Sequence, residues 1–183
     1  MGAEELIAQP TPPKRILGVD PGLNTTGYAV IENQTGRSQP SVGSFSLIEA
    51  GVIRSRRREP LSMRLKEIHD GISEVLAAHA IDMLALEQLF SHYDRPRTAI
   101  LMGHARGVIC LAAGCRGVSI EHFEPTRVKK LITGNGRAPK HQIQQAIQLQ
   151  LGLPSLPEPA DVADAMAIAL CGHALAHNPL ATL

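Results

Sequence analysis

The 183-residue chain lacks long apolar runs, tryptophan and an excess of either charge. No stretch approaches the roughly 18 consecutive apolar residues of a membrane-spanning helix, so we expect no membrane partner. Lysine and arginine number 18 against 17 aspartates and glutamates, which gives a formal net charge of +1. The overall charge therefore does not indicate a nucleic-acid-binding protein. Aromatic residues are so scarce that Phe90 and Tyr93, which lie close together in the sequence, stand out.

Cysteine is also rare, with only Cys110, Cys115 and Cys171 present. An odd number of cysteines, without a secretory signal, is typical of reduced thiols and predicts a cytoplasmic protein. All three lie in apolar stretches of helical character, so we expect them in the core.

The length of the chain suits one domain, which can bury about 70% of its unfolded surface without disulfides. Residues 1–14 contain three prolines and are interpreted as a flexible N-terminal tail. The domain is expected over residues 15–177, with a C-terminal tail at residues 178–183.

The pattern of apolar residues predicts an α/β fold with a mixed sheet and helices on its faces. Three consecutive strands come first, the first two joined as a hairpin, and helices then alternate with two further strands. The predicted strands are "RILGVD", "GYAVIE", "SFSLIEAGVIRS", "DMLALE" and "GVSIEHF". Helices are predicted from about Pro60, over residues 97–114, and from Pro125, Pro139 and Ala160.

Four carboxylates occupy positions that could meet. Asp20 ends the first strand, immediately before a Pro-Gly turn, and Glu87 ends the fourth. If these strands are parallel neighbours, both side chains emerge at one edge of the sheet. Asp161 and Asp164 are three residues apart and so share one face of the last helix. Taken alone, Asp161 is more typical of a simple N-terminal helix cap or first-turn acid than of a site residue.

Four carboxylates in one cleft repel one another and raise one another's pKa, so such a cluster requires a cation. Carboxylate oxygens suit Mg²⁺ or Mn²⁺ rather than Zn²⁺. Two such ions about 4 Å apart, bridged by a shared carboxylate, would form a site for phosphodiester cleavage.

Basic residues are clustered, and each cluster is either a solvated face or a phosphate-contacting surface. The segment "RSRRRE" suits the protection of an edge strand as well as phosphate contact. The clusters comprise Arg54, Arg56, Arg57 and Arg58; Arg95 and Arg97; and Arg127, Lys129, Lys130, Arg137 and Lys140. His173 and His177 are four residues apart, but without the glutamate of a zinc-protease motif we expect a helical surface pair.

Five segments together resemble the RuvC family of Holliday-junction resolvases. They are "LGVDPGLNTTGYAVI", "LALEQLF", "GHARGV", "RVKKLITGNGRAPK" and "DVADAMAIAL", in the order that the family has. The resemblance covers residues 15 to about 177. The chain differs from the family pattern in its N-terminal tail, in a lengthened loop at residues 33–42 and in the segment "SHYDRPRTA".

The resemblance implies a ribonuclease-H-like fold, with a mixed five-stranded sheet and helices on both faces. It implies an endonuclease that resolves four-way DNA junctions by paired symmetric nicks, as a homodimer working with the RuvA–RuvB branch-migration complex. The implied cofactor is Mg²⁺, two ions per subunit, with Mn²⁺ as a substitute.

The resemblance also implies roles for individual residues. The catalytic, metal-binding acids would be Asp20, Glu87, Asp161 and Asp164. Phe90 would wedge between junction bases, and Lys129 and Lys140 would face DNA. The apolar helix over residues 97–114, with the small residues Gly103, Ala105 and Gly107, is a candidate dimer interface, although it could simply pack on the sheet.

Three other functions fit parts of the sequence. Actin-like ATPases and sugar kinases also begin with a strand and an Asp-Gly-Thr turn, but they need two such domains and a longer chain. YqgF-type proteins, which act in RNA processing, share the fold and first motif but are usually shorter. A DNA-binding module with an inactive site would not be expected to carry all four acids.

Overall fold

The computed structural model describes residues 14–34, 45–89 and 96–176. The predicted C-terminal tail and nearly all of the predicted N-terminal tail lie outside these ranges, as do Phe90 and His177. Within these ranges the structure has no helix that is long and apolar enough to cross a membrane.

The order of strands and helices is the predicted one. The strands are β1 (Arg15–Asp20), β2 (Thr25–Asn33), β3 (Phe45–Arg54), β4 (Met83–Glu87) and β5 (Ser119–Phe123). The helices are α1 (Leu61–Ala78), α2 (Pro96–Gly114), α3 (Pro125–Thr133), α4 (Lys140–Leu151) and α5 (Ala160–Ala176). Pro125 is the first residue of its helix, whereas Pro60 and Pro139 are N-caps that immediately precede theirs.

The five strands form one mixed sheet in the order β3-β2-β1-β4-β5. β1, β2 and β3 are joined by antiparallel pairing, and the run from β1 through β4 to β5 is parallel. β1 is therefore central, with a hairpin partner on one side and a crossover partner on the other. This is the ribonuclease-H-like arrangement that the resemblance implies.

Two apolar cores lie on opposite faces of the sheet because the side chains of each strand alternate between its faces. Leu17 and Val19 of β1 join a core with buried residues of α1 and α2. Ile16 of β1 joins the other core, formed with α3, α4 and α5. Helices thus cover both faces, as predicted.

Helix α5 packs unusually close to the sheet. A Cβ atom at Gly18 of β1 would lie 2.2 Å from the carbonyl oxygen of Ala165, and one at Gly27 of β2 would lie 2.0 Å from that of Asp161. Real Cβ atoms do not approach other atoms so closely, so only glycine permits this packing at these two positions. The two glycines therefore set the distance between α5 and the strands.

Two sequence expectations about individual side chains were wrong. Cys171 is buried, but Cys110 is half-buried and Cys115 is exposed, because α2 ends at Gly114 just before it. His173 is only 1% exposed and stacks edge-on against Phe45, with ring centroids 4.5 Å apart. It is a core residue rather than part of a surface pair, because α5 is buried around most of its circumference.

Candidate active site

Asp20 and Glu87 end two parallel, adjacent strands. The register pairs Val19 with Leu86, and one further step along both strands sets Asp20 beside Glu87. The two side chains are joined by a hydrogen bond. The prediction that these carboxylates emerge together at one edge of the sheet is therefore confirmed.

The turn after Asp20 is fixed by hydroxyl groups. Thr26, fully buried, donates a hydrogen bond from Oγ1 to the carbonyl oxygen of Gly22 at 2.8 Å. The buried Ser55 hydroxyl donates to the carbonyl oxygen of Leu23. These contacts satisfy the polar backbone of the turn, so the chain leaves β1 abruptly and the turn stays in one conformation.

The position of Glu87 is fixed by hydrogen bonds to its main-chain carbonyl group and from the backbone amide that follows it. The guanidinium Nε of Arg106 on α2 donates to the carbonyl oxygen of Glu87 at 3.0 Å, and its Nη2 donates to Nδ1 of His122 at 2.5 Å. The next backbone amide, that of Gln88, donates to the carbonyl oxygen of Phe123 at 2.7 Å. Arg106 was missed as a site residue by the sequence analysis, although it lies in the quoted segment "GHARGV".

The first two turns of α5 supply the other two acids. Asp161 lies in the first turn and Asp164 one turn later, so both project from the same end of the helix. The close contact of Asp161 with Gly27 places this end directly over the hairpin that begins after Asp20. The structure therefore brings together all four acids that the sequence singled out.

The four acids are also close enough for their charges to affect one another. Burial raises the pKa of Asp20 to about 8, and the charges of Glu87, Asp164 and Asp161 add to this effect. Burial and the charge of Asp164 raise the pKa of Glu87. Burial raises the pKa of Asp164, and the charge of Asp161 adds to it. The other three acids therefore all lie near Asp20.

Two lysines lie beside these acids. The charge of Lys129 on α3 lowers the pKa of Glu87 and of Asp164. Lys140, the first residue of α4, also lowers the pKa of Asp164. Neither lysine forms an ion pair within the part of the chain that the structure describes. Both positive charges therefore remain available on the Asp164 side of the cluster.

The acids suit a hard cation, although they do not yet enclose one. Among the described residues, no three His, Cys, Asp or Glu side chains are close enough to form a ready metal cage. The donors would all be carboxylate oxygens, which Mg²⁺ and Mn²⁺ prefer. Repulsion keeps like charges apart, and a bound cation would offset the raised pKa of Asp20, Glu87 and Asp164.

Helix α2 presents an apolar face to the outside. Ile100 is 62% exposed and Leu111 57% exposed, and the exposed Gly103 and Gly107 lie between them at helical spacing. Ala105 is fully buried and faces the domain, so its predicted place in an interface is wrong. The helix does pack on the domain, but only through its other side.

Comparisons with known proteins identify the family of the chain. The family model described as "Crossover junction endodeoxyribonuclease RuvC" matches residues 16–173. A crossover junction endodeoxyribonuclease RuvC from Rhodopirellula baltica is 66% identical over 180 residues, covering 98% of this chain and 97% of that protein. The structure of Thermus thermophilus RuvC in complex with a Holliday junction substrate superposes with a TM-score of 0.77 at 30% identity, covering 86% and 91% of the two chains. The yeast mitochondrial Holliday junction resolvase shares the fold, with a TM-score of 0.64 at 10% identity over 93% and 83%.

Proposed function

The chain belongs to the RuvC family of crossover junction endodeoxyribonucleases, and from this premise we propose that it resolves Holliday junctions at the cluster of Asp20, Glu87, Asp161 and Asp164. The observation that carries the site assignment is the meeting of two strand-end carboxylates with two carboxylates from α5. The family match and the relatives favour a junction endonuclease over a YqgF-type protein of RNA processing.

Enzymes of this family are metal-dependent nucleases, and the metal proposed here is Mg²⁺, two ions per subunit, with Mn²⁺ as a substitute. Asp20 would supply a carboxylate ligand, since the other three acids lie near it. Glu87 would hold one ion, and Asp161 and Asp164 the other. The bound ions would supply a hydroxide for in-line attack and offset the charge on the leaving oxygen.

The residues of the chain would orient the substrate. Lys129 and Lys140 lie on the Asp164 side of the cluster, where they would hold DNA phosphate and offset the charge of the acids. Arg106 fixes the backbone of Glu87 and so would keep that carboxylate in place. Phe90 lies outside the described residues, and its role as a wedge between junction bases stays a prediction.

A homodimer would supply two matched sites for two matched nicks, because a four-way junction has two-fold symmetry. The exposed face of α2 supports this proposal, since Ile100 and Leu111 are apolar and Gly103 and Gly107 allow close approach. Cooperation with a RuvA–RuvB complex and a cytoplasmic location also belong to the proposal. The location rests on the free cysteines among the described residues.

The test is to incubate the purified protein with a synthetic four-way junction, a matching duplex and an RNA/DNA hybrid, each with and without Mg²⁺. Symmetric nicks in the junction alone, absent in Asp20→Asn, are the expected result. Cleavage of the hybrid in preference to the junction would contradict the proposal and favour the RNA-processing alternative.

A further inference from the structure

A second cleft adjoins the acid cluster on the side of Asp161. It has a volume of about 500 Å³ and lies between the β1–β2 turn, the loop before α1 and the start of α2. Its polar lining includes Asn24, Arg57, Arg64 and Thr98, and Asp161 marks the point where it meets the acids. Leu101 and Met102 give it an apolar side. The cleft is continuous with the proposed active site but has no role in the chemistry described above.

Arg64 places a fixed positive charge in this cleft. Its Nη2 donates to the carbonyl oxygen of Leu23 at 3.1 Å and to Oδ1 of Asn24 at 2.6 Å, and its Nε donates to the hydroxyl of Ser55 at 3.1 Å. All three acceptors are neutral, so these hydrogen bonds orient the guanidinium. Glu67, which is paired with Arg56, also lies within reach of its charge. The same contacts tie the turn after Asp20 to α1.

Arg57 adds a second positive charge at the surface of the cleft. It is exposed, and no carboxylate pairs with it within the described ranges. Its neighbour Arg56, by contrast, is bound to Glu67 through Nε at 2.7 Å and through its backbone amide at 2.9 Å. Arg58 is also exposed but does not line the cleft. Of these three consecutive arginines, Arg57 is therefore the one placed to serve a ligand in the cleft.

We propose that this cleft is a phosphate subsite for the DNA strand that is cut, on the side of the scissile phosphate opposite Lys129 and Lys140. This inference rests on the proposed function. Lys129 on α3 and Lys140 on α4 belong to helices on one face of the sheet, whereas Arg64 on α1 and Arg57 just before it belong to the other face. A strand crossing the acids would thus meet positive charge before and after them. Arg57 contacts a backbone phosphate. Arg64 supplies an oriented positive charge and holds in place the β1–β2 turn that lines the cleft.

The subsite is tested with junctions that carry one uncharged methylphosphonate. The nick made by the wild type is mapped first, and the modification is then placed singly at each of three phosphates on either side of it. One position on one side should slow single-turnover cleavage by wild type by about tenfold. Arg57→Ala should cut the unmodified junction about tenfold more slowly, lose its sensitivity to that position and lower the salt slope of binding by about one.

Arg58→Ala is the matched control, since it removes the same charge from the next residue. It should keep the sensitivity of wild type to every modified position. If Arg57→Ala keeps that pattern too, while wild type cuts the junction normally, the subsite alone is overturned. If wild type cuts no junction, the proposed function and the subsite fall together. Thermal melts establish that both variants fold, as expected for exposed side chains.

Discussion

Asp20 and Glu87 share a hydrogen bond across the boundary between β1 and β4, in surroundings that raise the pKa of both carboxyl groups. Burial is the main cause for each. Burial raises the pKa of Asp20 to about 8, and the charges of Glu87, Asp164 and Asp161 add to this effect. The metal-free site therefore stores unfavourable electrostatic free energy, which a divalent cation would release.

This relationship predicts how the stability of the metal-free protein depends on pH. The pKa of Asp20 is raised from 3.8 in the reference state to about 8 in the folded state. Below about pH 4 the buried carboxyl group does not lower the free energy of unfolding, because it is protonated in both states. Its destabilising effect grows as pH rises from about 4 to about 8 and is constant above about pH 8. Asp20→Asn should therefore stabilise the metal-free protein, by on the order of 2–4 kcal/mol at pH 7 and by much less at pH 4.

Denaturant unfolding of both proteins in EDTA across this pH range measures the effect. Glu121→Gln, which removes an exposed carboxylate from β5, should change stability little. Addition of Mg²⁺ should raise the melting temperature of wild type more than that of Asp20→Asn. A stability difference that is the same at pH 4 and pH 8 would contradict the prediction.

The same substitution should separate cleavage from binding. Asparagine keeps the shape of Asp20 but removes a charge that the proposed metals need. The rate of junction cleavage should fall by about 10³-fold or more, equivalent to about 4 kcal/mol of transition-state stabilisation. Binding of the junction should survive or tighten, because less negative charge opposes the phosphates. Near-normal cleavage by Asp20→Asn would exclude the proposed metal site.

Gly27→Ala tests the positioning of the helix that carries Asp161. The added Cβ would lie 2.0 Å from the carbonyl oxygen of Asp161, so the end of α5 must move. We expect a loss of about 3 kcal/mol in unfolding free energy and a weaker response of the melting temperature to Mg²⁺. Gly114→Ala meets nothing within 4 Å and should be neutral in the same measurements. Equal behaviour of the two variants would show that α5 tolerates displacement.

Lys129→Ala and Lys140→Ala should each slow cleavage on all junction sequences alike. Each should also lower the salt slope of junction binding by about one, because one phosphate contact is lost. The charges of both lysines reach Asp164, whereas Lys130, the exposed neighbour of Lys129, has no such effect. Lys130→Ala is thus the matched control. Unchanged slopes in both lysine variants would identify them as solvated surface residues.

Leu111→Glu should convert a dimer to a monomer. The residue is 57% exposed on the outer face of α2, so a charge there should not disturb the fold but should oppose burial against a second copy. Sedimentation at micromolar concentration measures the change, and a junction assay should show single rather than paired nicks. Leu149→Glu, at a leucine 69% exposed on α4, should remain dimeric. A wild type that sediments as a monomer with and without DNA would contradict the proposal.

Much of the fold follows from the sequence because its local signals agree with one another. Prolines lie at or just before the starts of α1, α2, α3 and α4, and apolar alternation or runs mark the strands. The pairing of Asp20 with Glu87 follows from one assumption, that their strands are parallel neighbours. That assumption is correct.

Side-chain contacts between distant segments could not be predicted in this way. The acceptors of the Arg64 side chain include groups about 40 residues earlier in the chain, and those of Arg106 are backbone and ring atoms of β4 and β5. An arginine can reach many such groups, and the sequence does not select among them. His173 was misplaced for another reason: α5 is apolar nearly all round and offers no polar face by which to orient it.

The close packing of α5 on Gly18 and Gly27 affects whether an incomplete or misfolded chain could cut DNA. The same helix supplies two of the four acids and a large part of one core, so neither the site nor that core is complete without it. A nascent chain that ends before α5 carries only Asp20 and Glu87. On the proposed function, such a chain cannot cut DNA, and neither can a misfolded chain in which α5 has come off the sheet. On the proposed function, cleavage therefore depends on the completed packing of α5 against the sheet.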